Sequence, residues 1–308
     1  MRLQERDIQI IIFIYILGGV VAARHIIDKF WPGKSLRAFQ KRMSKLVEHG
    51  YLIRPTKREW RTKPIPEAIY WIGPSGMLLL VSHYRIEIEG DFTIPLNENK
   101  QRKLEQQLRH NRIAWIREPK WMQLIHDLAV VDVRLRVEAS LAEVDSFSLD
   151  EWRNEHDFRS DIDVIEFEVT NRDGTTTTVK KGVCPDSLFI ILDQERQRAN
   201  QPARMRFLLE LDGATHSNPR FGRDKVIAGA AYIKSSEYKA RFGVNSGRWL
   251  VVTTGRRRLE NLMRQTYQAI GNRSELFYFT TFEHIHNSNV LVDPIWWQPG
   301  QGEPKALL

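Results

Sequence analysis

Two apolar runs, each with a carboxylate at one end, constrain this chain more than any other feature. The first reads V-C-P-D-S-L-F-I-I-L over residues 183–192, and the second reads R-F-L-L-E-L-D over residues 206–212. Their strand length and their content of β-branched and aromatic residues predict two strands. Asp186 opens the first, and Glu210 and Asp212 close the second with one apolar residue between them, so alternation points both to one sheet face. If the strands are neighbours, three carboxylates converge. The next segment, R-F-G-R-D-K-V-I-A-G-A-A-Y, has helical character and carries Lys225. Its small residues Ala228, Gly229, Ala230 and Ala231 allow a helix to approach the sheet closely.

A cluster of Asp186, Glu210 and Asp212 suits a hard divalent cation, Mg²⁺ or Mn²⁺. Mg²⁺ is held by only one or two carboxylates and keeps waters that a phosphate displaces, and a cation there polarises a phosphodiester and activates water. The pattern Pro185-Asp186, then Glu210-Leu211-Asp212, resembles the PD-(D/E)xK nuclease superfamily. That superfamily has a lysine two residues after the acid, where this chain has Asp212. Some members carry the lysine on the following helix, a role for which Lys225 is the candidate. By this resemblance the catalytic residues are Asp186, Glu210, Asp212 and Lys225. Two readings stand: a metal-dependent DNA endonuclease, or a non-catalytic nuclease-like domain used for dimerisation or docking. Glu155 is expected on a strand, either as a further acid of the site or as the partner of a nearby arginine. Thr215, in the D-G-A-T-H turn beside the acids, is placed to cap or to hold a ligand. His126 and His216 lack metal-ligand spacing.

The 308 residues exceed the usual size of one domain, and the net charge of +8 favours an anionic partner. A single cysteine, Cys184, rules out an internal disulfide and a cysteine-rich zinc site, which makes the cytoplasm the default location. The apolar run at residues 8–23 is too short to span a bilayer comfortably, follows Glu5, Arg6 and Asp7, and has no cleavage motif, so it reads as a buried first helix. No membrane partner is expected. Gly-rich phosphate loops, H-E-x-x-H and G-x-S-x-G are absent.

Residues 5–17 predict that first helix, broken at Gly18-Gly19 before a short second helix over residues 22–30. Ser35 is an N-cap candidate for a third helix, in which Leu36, Phe39, Met43, Leu46 and Val47 fall at spacings of three and four, with Arg37, Gln40, Lys41, Arg42 and Lys45 around the remainder. Gly50 ends it. A strand over residues 51–54, a basic hairpin loop with Lys57, Arg58, Arg61 and Lys63, and a return strand over residues 68–72 follow. Between Arg24 and Lys63 there are twelve Lys or Arg against three Asp or Glu. The phrases L-V-E-H-G-Y-L-I and Y-W-I-G-P-S-G resemble winged helix-turn-helix domains. That resemblance implies that the third helix enters the major groove of double-stranded DNA with Arg37, Gln40, Lys41, Arg42 and Lys45, while Lys57, Arg58, Arg61 and Lys63 meet phosphate.

Further along, residues 75–83 predict a short apolar helix, residues 84–97 an extended linker or a small edge hairpin, residues 98–115 a surface helix and residues 121–144 a long helix. Strands follow over residues 151–158 and 163–170, joined by a D-G hairpin turn at residues 171–174 to a threonine run that leads into the central strands. Residues 194–203 read as a polar loop, residues 249–254 as a strand, residues 256–270 as a basic helix and residues 276–281 as a last strand. The tail is expected to fray beyond Trp296 and Trp297. The segments H-D-L-A-V-V-D-V-R-L, E-W-R-N-E and E-L-D-G-A-T, with Lys225 and Tyr232, resemble the replication-relaxation family of plasmids and mobile elements. This resemblance implies an α+β architecture of a winged helix at residues 1–83, a linker and bridging helix at 84–120, and a restriction-endonuclease-like mixed-sheet domain at 121–308. It also implies replication or transposition proteins, or a second copy of the chain, as partners.

Overall fold

The apolar run near the N-terminus forms helix α1, Glu5–Ile16, with Ile10, Ile11 and Ile14 fully buried. Gly18 and Gly19 both have φ +92, which lets the chain leave the helix sharply. It then enters a short strand, β1 (Val20–Ala22), where the sequence predicted only a break, and continues into α2, Ala23–Phe30. Helix α3, Leu36–Glu48, buries Phe39, Met43 and Leu46. Leu36 departs from that apolar face and is 56% exposed, because it is the first residue of the helix and no earlier turn covers it. Ser35 occupies the N-cap position without a side-chain cap bond. At the other end Gly50 has φ +69, and Gly50 N and Tyr51 N donate to the carbonyls of Val47 and Leu46 at 3.0 and 2.9 Å, satisfying carbonyls that the helix end leaves over.

Strand β2, Leu52–Ile53, leads into the basic segment, which contains a helical turn, α4 (Lys57–Thr62), instead of an open loop. The turn is nucleated by its ends: Thr56 Oγ1 accepts from Glu59 N at 3.2 Å while Glu59 Oε2 accepts from Thr56 N at 2.6 Å. Strand β3, Ile69–Ile72, pairs antiparallel with both β1 and β2 in a three-stranded sheet of order β1-β3-β2. Helix α5, Pro74–His83, follows; a Cβ at Gly76 would stand 2.3 Å from the carbonyl oxygen of Tyr51, so only glycine fits this crossing. The surface helix α6 is shorter than predicted, Glu98–His110. Trp71 and Trp121 meet edge to face at 6.1 Å, in a cluster with Val20, Ile69, Leu124 and Leu128. The long helix α7 spans Leu124–Leu141.

The computed structural model describes residues 1–170, 173–213 and 221–308. The chain is a mixed α+β protein that divides into two compact units, Met1–Val131 and Asp132–Leu308. Among the described residues no helix is long and apolar enough to cross a membrane.

In the second unit, β4 (Phe147–Asn154) ends earlier than predicted, and Glu155 opens a helix, α8 (Glu155–Ser160), instead of lying on a strand. The local cause is Asn154, whose backbone N–H donates to Asp157 Oδ2 at 2.9 Å and turns the chain. Strands β5 (Asp163–Thr170) and β6 (Thr176–Val183) form a separate two-stranded hairpin and do not join the central sheet. Of the predicted turn between them, Asn171 and Arg172 lie outside the described residues, while Asp173 Oδ1 accepts from Thr175 N at 3.0 Å. Then come β7 (Ser187–Asp193), a single turn α9 (Gln194–Arg198) capped by Asp193 within the predicted loop, and β8 (Arg204–Asp212). Thr215 and His216 lie outside the described residues.

One π-helical turn, Gly222–Val226, runs into α10 (Ile227–Lys234), followed by α11 (Ser236–Phe242), β9 (Arg248–Thr253), α12 (Arg256–Ile270), β10 (Phe277–Thr281) and α13 (Phe282–Asn287). The central sheet has the order β10-β9-β8-β7-β4; β8, β9 and β10 run parallel, and β7 is antiparallel to both β8 and β4. Its alternation sorts the core into two faces. Leu188, Ile190, Leu208, Val251 and Phe279 share a cluster with Tyr232, Ile233, Leu259 and Leu262 from the helices, while Phe189, on the opposite face, stacks between Trp152 and Phe207 at 5.2 and 5.1 Å. The tail does not fray. Trp297 exchanges backbone hydrogen bonds with Phe279, Trp296 with Lys305, and Leu307 is buried, so the last residues extend the packing at the β10 edge.

Candidate functional site

The register of the central sheet decides where the acidic residues fall. Ser187 pairs with Leu209 and Leu188 with Leu208, so Asp186, one step beyond, lies across from Glu210. Both belong to the sheet face that carries Leu188 and Leu208. Asp212 shares the face one pleat further on, across from Thr253. All three carboxylates are nearly buried, at 8%, 8% and 5% exposure, and buried carboxylates need partners. Asp186 Oδ2 accepts from the backbone N–H of Leu211 at 2.7 Å. Glu210 is met by Lys225, whose Nζ lies 2.9 Å from Oε1 and 3.0 Å from Oε2.

Asp212 has a different neighbourhood. Arg258 of α12 donates from Nε to Oδ2 and from Nη2 to Oδ1, each at 2.8 Å, and Thr253 Oγ1 donates to Oδ2 at 2.7 Å. The step of one pleat separates it from the pair formed by Asp186 and Glu210, and the arginine neutralises it there. Among the described residues no group of three or more His, Cys, Asp or Glu is arranged to hold a metal ion. The two carboxylates beside Lys225 are Asp186 and Glu210, a number that fits the one or two carboxylates that Mg²⁺ takes from a protein when phosphate and water supply the rest.

Lys225 sits in the π-helical turn ahead of α10. Burial alone pulls its ammonium down, but the charge and hydrogen bond of Glu210, with the charge of Asp186, more than reverse this and raise it above the ordinary lysine value. The group stays protonated. A pocket of about 310 Å³ opens beside it, lined by Glu155 and Arg159 of α8, Lys181 of β6, Glu210, Lys225 and Trp249. Of the two roles considered for Glu155, the structure shows the pairing with an arginine, since Glu155 Oε1 accepts from Arg159 Nη2 at 2.6 Å. Cys184 also borders the pocket, and burial, aided by the charge of Glu155, pushes its thiol up to about 11. It is a neutral wall at neutral pH. The sequence marks Arg159 and Lys181 only weakly, through the i, i+4 spacing of Glu155 and Arg159 and the strand alternation of β6, which separates Lys181 from Lys180.

The expected nucleic-acid residues divide in the same way. Arg37, Gln40, Lys41 and Lys45 of α3 are exposed, as are Lys57, Arg58, Arg61 and Lys63 in and after α4. Arg42 is not displayed with them. Its Nε donates to Asp7 Oδ1 at 2.7 Å and its Nη2 to Oδ2, and Asp7, in the first turn of α1, is fully buried. The position of Arg42 on the helix, one residue before the core Met43, turns it toward α1, where it anchors the helix. His126 lies 3.6 Å from Asp127 on the surface of α7. In the arginine run at the start of α12, Arg258 pairs with Asp212 and Arg256 with Glu260 at 2.8 Å.

Neither the curated proteins nor the solved structures contain a match to this chain. The family model of replication-relaxation proteins matches residues 19–245. That span is well over half the chain and takes in the three-stranded sheet, the exposed cations of α3 and α4, and Asp186, Glu210 and Lys225; the chain belongs to the replication-relaxation family.

Proposed function

We propose that this is a DNA-binding protein of a plasmid or mobile element, with a winged helix in its first unit and, in its second, a nuclease-like site that acts on a phosphodiester with a divalent metal ion. The family name supports a role in replication, and the order α1, β1, α2, α3, β2, basic segment, β3 supports the winged-helix reading. The succession α7, β4, β7, β8, α10, β9, with three antiparallel strands and a fourth parallel to the third, supports the nuclease-like reading.

The observation that carries the reading is the contact of Lys225 with Glu210. A lysine from the helix side reaches the acid of the strand at 2.9 Å, the place left open by Asp212. In this reading Asp186 and Glu210 hold Mg²⁺ or Mn²⁺, which supplies Lewis-acid polarisation of the phosphate and a more acidic water. Lys225, kept protonated by Glu210, stabilises negative charge developing on the phosphate oxygens. Arg159 and Lys181 hold the neighbouring phosphates in the pocket, and Glu155 keeps Arg159 in place. Double-stranded DNA is held by Arg37, Gln40, Lys41 and Lys45 at base edges and phosphate, with Lys57, Arg58, Arg61 and Lys63 on the backbone.

A second reading, a non-catalytic regulator or adaptor in replication or transposition, draws on the Arg258 pair, which occupies the motif's lysine position with a neutralised aspartate. One experiment separates the two. The full chain is incubated with supercoiled, linear and branched DNA with and without Mg²⁺ or Mn²⁺, beside a thermal-shift titration with the metals alone. The nuclease reading expects nicking that is lost in Lys225→Ala, and a metal-dependent rise in melting temperature that disappears in Asp186→Ala and Glu210→Ala, since a ligand bound only by the folded state stabilises it. Absence of cleavage on every DNA form and of any metal shift overturns it in favour of the second.

A further inference from the structure

We propose that Trp60 is a base-stacking residue that directs the first unit to duplex DNA ending in, or interrupted by, unpaired bases. The inference rests on the DNA-binding reading above and adds the structure of the DNA preferred. Trp60 is 43% exposed, a large apolar surface to leave in water. Among the described residues the indole has no ring partner, no cation over its face and no hydrogen bond. It stands on α4, where Lys57 is three residues before it and so flanks it on the helix surface. Arg58 and Arg61 lie on the same turn, which spans about 9 Å, and Lys63, extended directly after it, is the fourth cation of the segment.

The only acid of the segment is withdrawn from them. Glu59 Oε2 accepts from Thr56 N at 2.6 Å and from Thr56 Oγ1 at 2.7 Å, and none of the four cations makes an ion pair among the described residues. The capping bonds also fix α4 as a helical turn, so the indole is presented on a short rigid element, which limits the entropy lost when it docks. A planar apolar ring surrounded by free positive charge matches a base with its two adjoining phosphates. Inside a paired duplex both faces of each base are covered by its neighbours, so the ring finds a partner only at an end, a junction or an unpaired stretch. Flanking duplex remains available to α3.

The test compares binding of the full chain to a blunt duplex and to the same duplex carrying a short single-stranded tail, over a range of salt, for the wild type, Trp60→Ala and Trp60→Phe. The wild type is expected to bind the tailed duplex more tightly. Trp60→Ala is expected to lose roughly 5-fold to 100-fold on the tailed duplex, the effect of one stacked base, with blunt-duplex binding and melting temperature unchanged, and Trp60→Phe to retain most of the preference. Equal loss on both DNAs, or no loss on either, overturns the inference while leaving the DNA-binding reading in place. A change in oligomeric state in Trp60→Ala without a change in DNA preference overturns it in favour of a protein-docking tryptophan. Absence of salt-dependent binding of the wild type to either DNA overturns the DNA-binding reading itself, and this inference with it.

Discussion

Trp249 Nε1 donates to the carbonyl oxygen of Gly229 at 3.0 Å, with the helix and the indole so close that a Cβ on residue 229 would stand 2.9 Å from the ring. The glycine lets α10 lie directly on the sheet, and the π-helical turn just ahead of it brings Lys225 over Glu210. Gly229→Ala is expected to lower stability by about 1–3 kcal/mol, the range for forcing atoms into a packed core. Urea unfolding measures this. The same variant is expected to weaken any effect of Lys225, because the turn moves with its helix.

The Asp212 and Arg258 pair is nearly buried, with side-chain exposures of 4% and 15%. Arg258→Ala leaves a carboxylate without its counter-ion and is expected to cost about 3–5 kcal/mol. Arg257→Ala, at an exposed position in the same helix turn, is expected to change stability by less than about 0.5 kcal/mol. Equal unfolding midpoints for the two variants would contradict the assignment.

Arg42 and Arg37 both lie on α3 and are expected to fail in different ways. Arg37→Ala or Lys41→Ala removes an exposed cation and is expected to reduce the salt dependence of DNA binding by about one unit of log–log slope for each phosphate no longer neutralised, with the unfolding transition unchanged. Arg42→Ala breaks the bond to buried Asp7 and is expected to lower the melting temperature while leaving the slope of the folded fraction intact. Binding isotherms at several salt concentrations, beside thermal unfolding, separate the two.

Tyr232 supplies a pH dependence. Burial first, and then the hydrogen bond and negative charge of Asp163, push its phenol well above the ordinary tyrosine range, with Arg241 opposing. Burial also raises Tyr238. A tyrosine in the unfolded chain releases its proton near pH 10, whereas these two hold theirs in the folded state. The folded form then binds more protons, so stability is expected to fall as pH rises past about 10 and to be unaffected by these groups below that. Tyrosinate absorbance should show two phenols that ionise only with unfolding, and Tyr232→Phe should flatten the alkaline loss.

Much of the architecture was legible because it depends on short-range pattern. Apolar alternation located β5, β7, β8, β9 and β10 to within a few residues, three-and-four spacing located α3, and Asp186, Glu210 and Asp212 do share one sheet face, because side-chain direction repeats every second residue whatever the strand pairs with. The misreadings were equally local in origin. The strand β1 is too short for its own sequence to announce, since three residues gain their stability only from pairing with β3. The turn α4 lies within a basic loop and is held by one capping pair, and the tail beyond Trp296 and Trp297 has no periodicity but stays ordered because Lys305 pairs with Trp296 and Leu307 is buried.

Only the tertiary structure could say which charges belong together. Arg42 was indistinguishable from Arg37 and Lys41 along the chain, and it became an anchor because α1 brings Asp7 beneath it. Asp212 was indistinguishable from Glu210 in direction, but α12 delivers Arg258 to one and the turn before α10 delivers Lys225 to the other. A carboxylate's role depends on the charge and solvent within a few ångströms of it, and those neighbours come from residues 15 and 46 positions away in the chain. Periodicity reports the face on which a side chain lies; helix packing against that face selects its partner.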